Sequence, residues 1–221
     1  MIHTTQLLIP IQPKHIQTRK FRYGNPVDEN NAINEIIYFS KIEGVTGKEY
    51  FSDTQNKWIC SLIVDIPKIL NRGDVHENDY IIIKQFLEDL LGGIYGDSTL
   101  FDEHNLIRLD YRIDVEVPNL NLHYLYLKLY GKTREKYNRL VKNPHEDFET
   151  SIYHSCNSIE TILYSKTLEA ISKNRKLNYW EVNMMRFEVR LKNSHLYYHC
   201  RKNHLEKKLI TFLKKINLIF I

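Results

Sequence analysis

Three short segments of the sequence each place a reactive side chain beside basic residues. They are Arg108-Leu-Asp110, Tyr164-Ser-Lys166 followed closely by Glu169, and Arg186-Phe-Glu188-Val-Arg190. The first and third alternate polar and apolar residues as strands do, so each would present a carboxylate beside an arginine. A divalent cation held by carboxylates makes a phosphate a better electrophile, and a tyrosine hydroxyl can then attack it. The segments therefore predict metal-assisted, tyrosine-based cleavage of a phosphodiester, as in DNA nicking.

Asp110, Glu169 and Glu188 are the candidate metal ligands, because Mg²⁺ and Mn²⁺ prefer oxygen ligands. If the strands that carry Asp110 and Glu188 are neighbours, both carboxylates lie on one face, and a metal or arginines must offset their repulsion. Asp114 is a lesser candidate that could equally pair with Arg112. The alternative is an exposed strand face whose alternating charges serve solubility through cross-strand ion pairs.

Tyr164 is the candidate nucleophile, although it is one of 15 tyrosines and most strand tyrosines serve packing. Lys166 lies two residues further on and so on the same strand face. Its charge would favour a phenolate or stabilise a developing oxyanion. Tyr164 and Lys166 are therefore the predicted catalytic pair.

Two basic stretches, at 132–142 and 201–215, are candidates for contacts with a phosphate backbone. Such stretches are also typical of solvated helix faces. The candidate DNA-binding residues are Arg108, Arg112, Lys132, Arg134, Lys136, Arg139, Arg186 and Arg190.

The composition is that of an ordinary globular protein of 221 residues, with 43% hydrophobic and 26% charged residues. The net charge of +4 favours an anionic partner only mildly. Three scattered cysteines and the lack of an 18-residue apolar run indicate a protein of a reducing cytoplasm rather than a membrane. No phosphate-cradling glycine loop occurs, which disfavours an ATPase, and His195 and His199 lack the glutamate of a zinc-protease helix.

The patterns predict one α+β domain over residues 1–221, in which 1–55 is weakly specified. An antiparallel sheet would carry helices on its apolar face and leave its polar face free for a substrate. The predicted strands are 58–66, 106–117, 120–130 and 185–191, with a hairpin formed by 151–156 and 160–164. In the second strand, Ile113 and Val115 belong to the apolar set. The predicted helices are 80–91, which would bury Ile82 and end at Gly92-Gly93, one starting at 166, and one or two within 195–219.

Taken in order, these segments resemble the replication initiators of filamentous phages, the gene II proteins. Ile107-Arg-Leu-Asp110 resembles the family's arginine-x-aspartate strand, and Phe148-Glu-Thr-Ser-Ile152 its aromatic-glutamate segment. Leu163-Tyr-Ser-Lys-Thr-Leu-Glu169 resembles its tyrosine-x-lysine-x-x-glutamate motif, and Met185-Arg-Phe-Glu-Val-Arg-Leu-Lys192 its R-F-E strand. A weaker likeness covers Ser61 to Leu87, so that the resemblance spans roughly residues 58 to 205, and the order and spacing of the motifs carry it.

The resemblance implies a rolling-circle replication initiator with a ferredoxin/RRM-like core, acting in the cytoplasm of a bacterial host. Tyr164 would attack the scissile phosphate of the origin, keep the 5′ end as a phosphotyrosine and release a 3′-hydroxyl that primes synthesis. Asp110, Glu169 and Glu188 would hold Mg²⁺ or Mn²⁺, and Lys166 would assist. Origin DNA, single-stranded or in a hairpin, is the implied partner, together with the host helicase and polymerase.

The chain departs from the pattern at two points. Ser165 stands where related plasmid initiators often have aspartate, and no histidine-apolar-histidine metal motif occurs, so a metal site would consist of carboxylates alone. One alternative keeps the fold without catalysis, as a protein that binds an origin or hairpin. Another is an interaction protein with a charged sheet face, for which no salt-dependent DNA affinity is expected.

Overall fold

The computed structural model describes residues 1–18, 33–35, 42–73, 75–76, 78–133, 139–140, 150–177 and 179–213. The chain forms two compact units, the first made of Met1–Leu109 with Leu196–Ile221 and the second of Asp110–His195. The predicted α+β class is confirmed, because antiparallel strand pairs carry most of the sheet and helices pack beside it. Among the described residues, no helix has both the length and the hydropathy needed to cross a bilayer.

The strands and helices follow one another along the whole chain. The strands are β1 (Ile2–Ile11), β2 (Ile33–Glu35), β3 (Val45–Ser52), β4 (Lys57–Asp65), β5 (Asn105–Glu116), β6 (Arg139–Leu140), β7 (Ser151–Ser155), β8 (Ile159–Ser165) and β9 (Met184–Lys192). The helices are α1 (Pro13–Thr18), α2 (Ile66–Leu70), α3 (Asp79–Tyr95), α4 (Leu120–Lys132), α5 (Lys166–Ser172), α6 (Asn193–Lys202) and α7 (Leu209–Leu213). Short 3₁₀ helices cover Ser98–Glu103 and Tyr179–Glu181.

In the first unit the strands lie in the order β2-β3-β4-β1, with antiparallel pairing between neighbours. The apolar residues of β1 alternate with partly exposed ones, and Leu7, Ile9 and Ile11 are buried. The segment 1–55, weakly specified by its pattern, thus supplies β1, β2 and β3 of this sheet. The predicted strand at 58–66 is confirmed as β4, which ends where Pro67 enters the first turn of α2.

Helix α3 is longer than predicted and buries a different face. It continues through Gly92-Gly93 and ends at Gly96, whose φ of 74° is the left-handed conformation that glycine adopts easily. The buried residues include Ile83, Leu87 and Leu91, whereas Ile82 is exposed. The buried face differs because the run of isoleucines at 81–83 fits a helix in more than one rotation, and packing selects among them.

The second unit contains the strand order β5-β9-β8-β7-β6, to which β5 contributes from Asp110 onward. In the antiparallel β8–β9 pair, Tyr164 lies opposite Arg186 and Ile162 opposite Glu188, and on the other side of β8 Ser151 lies opposite Tyr164. The predicted hairpin and the strand 185–191 are thereby confirmed. Because side chains alternate along a strand, Tyr164, Arg186 and Glu188 share one face of this sheet.

Helix α4 packs against the opposite face of this sheet, and α5, which begins directly after β8, directs Leu168 toward the same face. Leu127 of α4 and Leu168 of α5 meet Ile152 and Met185 of the sheet in a buried apolar cluster. Phe187 points to the same side, where its ring lies edge-on to Tyr130, with ring centroids 5.8 Å apart. The prediction of helices on one face, and of a polar set on the other, therefore holds for this unit.

The prediction of a strand at 120–130 is wrong, because these residues form α4. The Asn119 side chain accepts a hydrogen bond from the Asn121 amide at 2.9 Å and caps the first turn. The buried residues of the helix, His123 and Leu127, are four positions apart. Leucines at every second or third position fit both the two-residue period of a strand and the 3.6-residue period of a helix, so the pattern alone did not separate the two.

Burial along β5 also departs from its hydropathy. Ile113 and Val115, expected in the core, are 50% and 53% exposed, whereas Asp110 and Arg112 are buried. The buried charges are accommodated by ion pairs, since the carboxylate of Asp110 meets Arg190 and Arg112 lies beside Asp114. Ion pairing therefore decides burial on this strand more than hydropathy does.

Candidate active site

The candidate site is a pocket of about 640 Å³ in the second unit, on the face of the sheet opposite α4. Strands β7, β8 and β9 contribute Tyr153, Tyr164 and Glu188 to its lining, and α5 contributes Glu169. Helix α5 begins directly after β8, so a residue of its first turn reaches the same pocket as the strand that precedes it. Tyr164, Glu169 and Glu188, three of the predicted site residues, are therefore brought together.

The hydroxyl group of Tyr164 lies between the carboxylate of Glu188 and the guanidinium group of Arg186. It donates a hydrogen bond to Oε1 of Glu188 at 2.8 Å, and an NH1 group of Arg186 lies 3.4 Å from its oxygen. Burial and the charge of Glu188 raise the pKa of the Tyr164 hydroxyl above its ordinary value, while the charge of Arg186 lowers it. The hydroxyl is thus protonated at neutral pH, with its proton directed at a carboxylate.

Arg186 is fixed by Asp114 of β5. Its Nε and NH2 groups donate to the two carboxylate oxygens of Asp114 at 2.6 Å and 2.7 Å. Burial alone would lower the pKa of the guanidinium and raise that of the carboxyl. The hydrogen bonds and charges of the pair reverse both effects, so the pKa of Arg186 is raised and that of Asp114 is lowered. Asp114 therefore pairs chiefly with Arg186.

Lys166 lies over the ring of Tyr164, with its Nζ atom 5.3 Å from the ring centroid. The same atom is 3.9 Å from one carboxylate oxygen of Glu169 and 3.9 Å from one of Glu181. Burial, followed by the charge of Arg186, lowers the pKa of Lys166, and the two glutamates oppose this. Lys166 thus lies beside Tyr164, but the prediction that it shares the strand face of the tyrosine is wrong, because β8 ends at Ser165 and Lys166 begins α5.

Glu181 and Arg175 belong to the surroundings of Lys166 but were missed by the sequence patterns. Arg175 donates to both carboxylate oxygens of Glu181, at 2.7 Å and 2.9 Å. This bidentate pair holds Glu181 where it also reaches Lys166. The two residues lie in a connection without regular alternation, so no periodic pattern pointed to them.

The three predicted metal ligands do not form one cluster. Asp110 is nearly fully buried, with both oxygens 3.3 Å from Nε of Arg190, and it is not part of the pocket lining. Glu169 binds Nζ of Lys173 at 2.9 Å, and Glu188 accepts from Tyr164. Within the described part of the chain, no three histidine, cysteine or acidic side chains are grouped to hold a metal ion. Two carboxylates of the pocket, those of Glu169 and Glu188, still suit Mg²⁺, which is often bound by one or two carboxylates and a substrate phosphate.

Most of the predicted DNA-binding arginines on the sheet are engaged with acidic side chains. Arg186 binds Asp114, Arg190 binds Asp110 and Glu160, and Arg112 lies 3.7 Å from Asp114. Arg190 also lines the pocket. These three arginines and three carboxylates together have a formal net charge of zero, so this face carries less positive potential than its arginine content predicts.

The remaining predicted DNA contacts are distributed differently. Lys132 is exposed in the last turn of α4, and Arg108 is half-buried on the part of β5 that belongs to the first unit. Arg134 and Lys136 lie outside the described residues, as does the side chain of Arg139 in β6. The segment at 148–149, quoted for the family resemblance, also lies outside them.

A buried histidine, missed by the sequence patterns, holds the turn that carries Tyr164 and Lys166. Nε2 of His123 lies 2.7 Å from the carbonyl oxygen of Val117, and Nδ1 lies 2.7 Å from Oγ of Ser165. Because a carbonyl only accepts, Nε2 carries the proton and Nδ1 accepts from the serine hydroxyl. Ser165 in turn accepts from the amide of Leu168 and caps α5. Since Ser165 is fully buried, this pair is a structural clamp and not a serine nucleophile.

Comparison with known proteins adds no relative to this description. No model of a protein family matches the chain, and no curated protein matches its sequence. The likeness to the phage initiators therefore rests on the sequence motifs alone.

Proposed function

We propose that the second unit nicks and rejoins DNA through a covalent 5′-phosphotyrosine link at Tyr164, and that the protein initiates rolling-circle replication. The observation that carries the proposal is the hydrogen bond from the Tyr164 hydroxyl to Glu188, with Arg186 next to the same oxygen. A nucleophile needs a proton acceptor, which Glu188 supplies in the pocket, and Arg186 next to the phenol oxygen can offset the negative charge that develops there.

The chemistry follows from these contacts. Glu188 takes the proton of Tyr164 as the phenol oxygen bonds to the phosphorus of the scissile phosphodiester. The bond from phosphorus to the 3′-oxygen breaks, and that oxygen takes a proton from solvent water to become the 3′-hydroxyl, while Glu188 returns its proton to solvent. Arg186 and Lys166 offset the negative charge that develops on the phenol oxygen and the phosphoryl group. Attack of the 3′-hydroxyl on the phosphotyrosine reverses the steps and rejoins the strand.

A divalent cation, Mg²⁺ or Mn²⁺, belongs to the proposal with a smaller ligand set than the sequence predicted. Glu169 and Glu188 would hold it, since both line the pocket. When bound, it would disperse charge on the phosphate. Asp110 is left out of this set because its carboxylate is buried against Arg190.

The proposed partner is the DNA of a replication origin, and the host helicase and polymerase would act on the product in the bacterial cytoplasm. The pocket suits a single strand or a hairpin tip better than a duplex, because Tyr164 lies within it and must reach the phosphorus. Lys173, which lines the pocket, and Lys132, which is exposed at the end of α4, are the proposed contacts with the backbone.

The test is capture of the adduct. The protein is incubated with a pool of single-stranded oligonucleotides of random sequence and either Mg²⁺ or Mn²⁺, and then denatured. DNA that remains attached is digested, and the modified peptide is identified by mass spectrometry. We expect the nucleotide on Tyr164, in wild type and in Tyr153→Phe as the control. An adduct on Tyr153, or no adduct with any pool, contradicts the proposal.

A second candidate is a DNA-binding protein of the same fold that does not cut. The observation that favours it is the pairing of Arg186 and the raised pKa of Tyr164, which also suit a structural hydrogen-bond network. Both candidates predict DNA binding that weakens as salt increases. Only the first predicts a covalent product, so the same experiment separates them.

A further inference from the structure

The guanidinium group of Arg186 contacts different partners through two of its edges. Its Nε and NH2 groups donate to the two oxygens of Asp114, at 2.6 Å and 2.7 Å. The remaining NH1 group lies 3.4 Å from the hydroxyl oxygen of Tyr164 and 3.8 Å from Oε1 of Glu188. Because the guanidinium is planar and rigid, the bond to Asp114 decides which edge faces the tyrosine.

We propose that Asp114 is a positioning residue of the tyrosine site: it grips one edge of Arg186 and thereby turns the other edge toward the Tyr164 oxygen. The proposal rests on the function proposed above. Asp114 is a lesser metal-ligand candidate by its sequence position, and in this proposal its carboxylate binds Arg186 instead of a metal ion.

The surroundings of the pair support a fixed arrangement. The side chain of Arg186 is only 11% exposed and that of Asp114 is 26% exposed, so the guanidinium group has little access to water as an alternative partner. The pair also joins β5 to β9, and both of these strands carry acidic and basic residues on the same face. Bidentate bonding restricts the guanidinium more than a single contact would, and a lysine at 186 could not reproduce it.

The functional consequence concerns the phenol oxygen as it loses its proton to Glu188. A donor held at that oxygen in advance costs no reorganisation when negative charge develops there. The NH1 group of Arg186 is such a donor, 3.4 Å from the phenol oxygen. If Asp114 no longer held the guanidinium, this effect would weaken.

The first experiment measures adduct formation in a double-mutant cycle. We expect Asp114→Asn to slow the reaction of bound oligonucleotide about 100-fold, as loss of one preorganised donor does, with affinity changed less than about threefold. Arg186→Gln should have a similar effect, and the double variant should be no slower than the slower single variant, because both act through one group. Glu116→Gln, which removes the same charge two residues along β5 at an exposed position, is the control and should react like wild type. Effects that multiply in the double variant, or wild-type rates in Asp114→Asn, would overturn the proposal.

The second experiment needs no DNA and separates failure of this proposal from failure of the proposed function. 3,5-Difluorotyrosine, whose phenol titrates at lower pH, is placed at position 164 and its pKa is followed by ¹⁹F NMR. If Asp114 positions Arg186, Asp114→Asn raises this pKa by roughly half a unit or more, since the cation moves away. If Asp114 acted only through its own charge, the pKa would fall. A decrease in the pKa of residue 164, or no change in it, would contradict the positioning role even if the wild-type protein forms the adduct. An increase in this pKa would support the role even if no adduct forms.

Discussion

The hydroxyl group of Tyr164 and the carboxylate of Glu188 meet at 2.8 Å across two neighbouring strands, 24 residues apart in the chain. The register of β8 and β9 creates this contact, because Tyr164 lies opposite Arg186 and Glu188 lies opposite Ile162, two residues away on the same face. A slip of one residue would move one partner to the other face of the sheet. The strand pairing is therefore what turns two separate motifs into a tyrosine with a proton acceptor.

Tyr164→Phe removes the nucleophile with little change in shape. We expect the covalent adduct to disappear while the affinity for single-stranded DNA stays within about threefold, because the arginines and lysines are untouched. Denaturing gels give the first quantity and fluorescence anisotropy the second. An adduct that persists would move the nucleophile to another tyrosine, and lost affinity would show that the variant had lost more than a hydroxyl.

Glu188→Gln keeps the size of the side chain but removes the proton acceptor. Loss of a general base slows reactions by factors of about 100 or more, so adduct formation should decrease at least that much. Binding should be preserved. Single-turnover kinetics with saturating protein measures the rate constant directly. A rate within a few fold of wild type would exclude Glu188 as the acceptor of the Tyr164 proton.

The metal ligands can be separated by titration of Mg²⁺ or Mn²⁺. Glu169→Gln should raise the metal concentration for half-maximal cleavage about tenfold, because a carboxylate of the pocket is lost. In Asp110→Asn this concentration should stay within about twofold, since Asp110 faces Arg190 and lies outside the pocket lining. If Asp110→Asn raised this metal concentration more than Glu169→Gln did, Asp110 would be a metal ligand, as its motif predicts. Removal of metal with EDTA should stop cleavage in wild type.

Ser165→Ala tests the clamp beneath the site. The variant removes the N-cap of α5 and leaves Nδ1 of buried His123 without its donor. We expect a loss of about 2 kcal/mol in the free energy of unfolding, measured by urea denaturation. Ser172→Ala, at the exposed end of the same helix, is the matched control and should lose less than about 0.5 kcal/mol. Equal losses in the two variants would show that the clamp is energetically unimportant.

The first unit should lose stability in mild acid because of His104. Its Nε2 atom accepts from the amide of Leu209 at 3.0 Å, and burial lowers its pKa from 6.5 to about 4. A lowered pKa means that the unfolded chain takes up the proton first. The stabilising contribution is complete above pH 6.5 and is lost as the pH falls toward 4, by about 3 kcal/mol. Urea denaturation at pH 7 and pH 4 measures this loss.

In His104→Gln the stability difference between the two pH values should be smaller by about that amount, because glutamine does not titrate. The comparison with wild type removes the contribution of carboxylates common to both proteins. An identical acid dependence in the two proteins would show that His104 does not carry it.

Several elements of this protein follow from its sequence alone. The alternation in β5 and β9 and the turn residues between β7 and β8 predict these strands correctly, because the two-residue period is a property of each strand's own backbone. The same period places Arg186, Glu188 and Arg190 on one face. The tyrosine and the two pocket carboxylates are therefore candidates that the residue pattern identifies by itself.

What only the tertiary structure decided is which of these side chains meet. Three contacts join residues from separate elements. Asp114 pairs with Arg186, Asp110 is buried in a pair with Arg190, and His123 is hydrogen-bonded to Ser165. Segment 120–130 became a helix because its leucines fit two periods and packing against the sheet selected one. Local pattern sets the face on which a side chain lies. Its partner depends on strand order and register, which are properties of the folded chain as a whole.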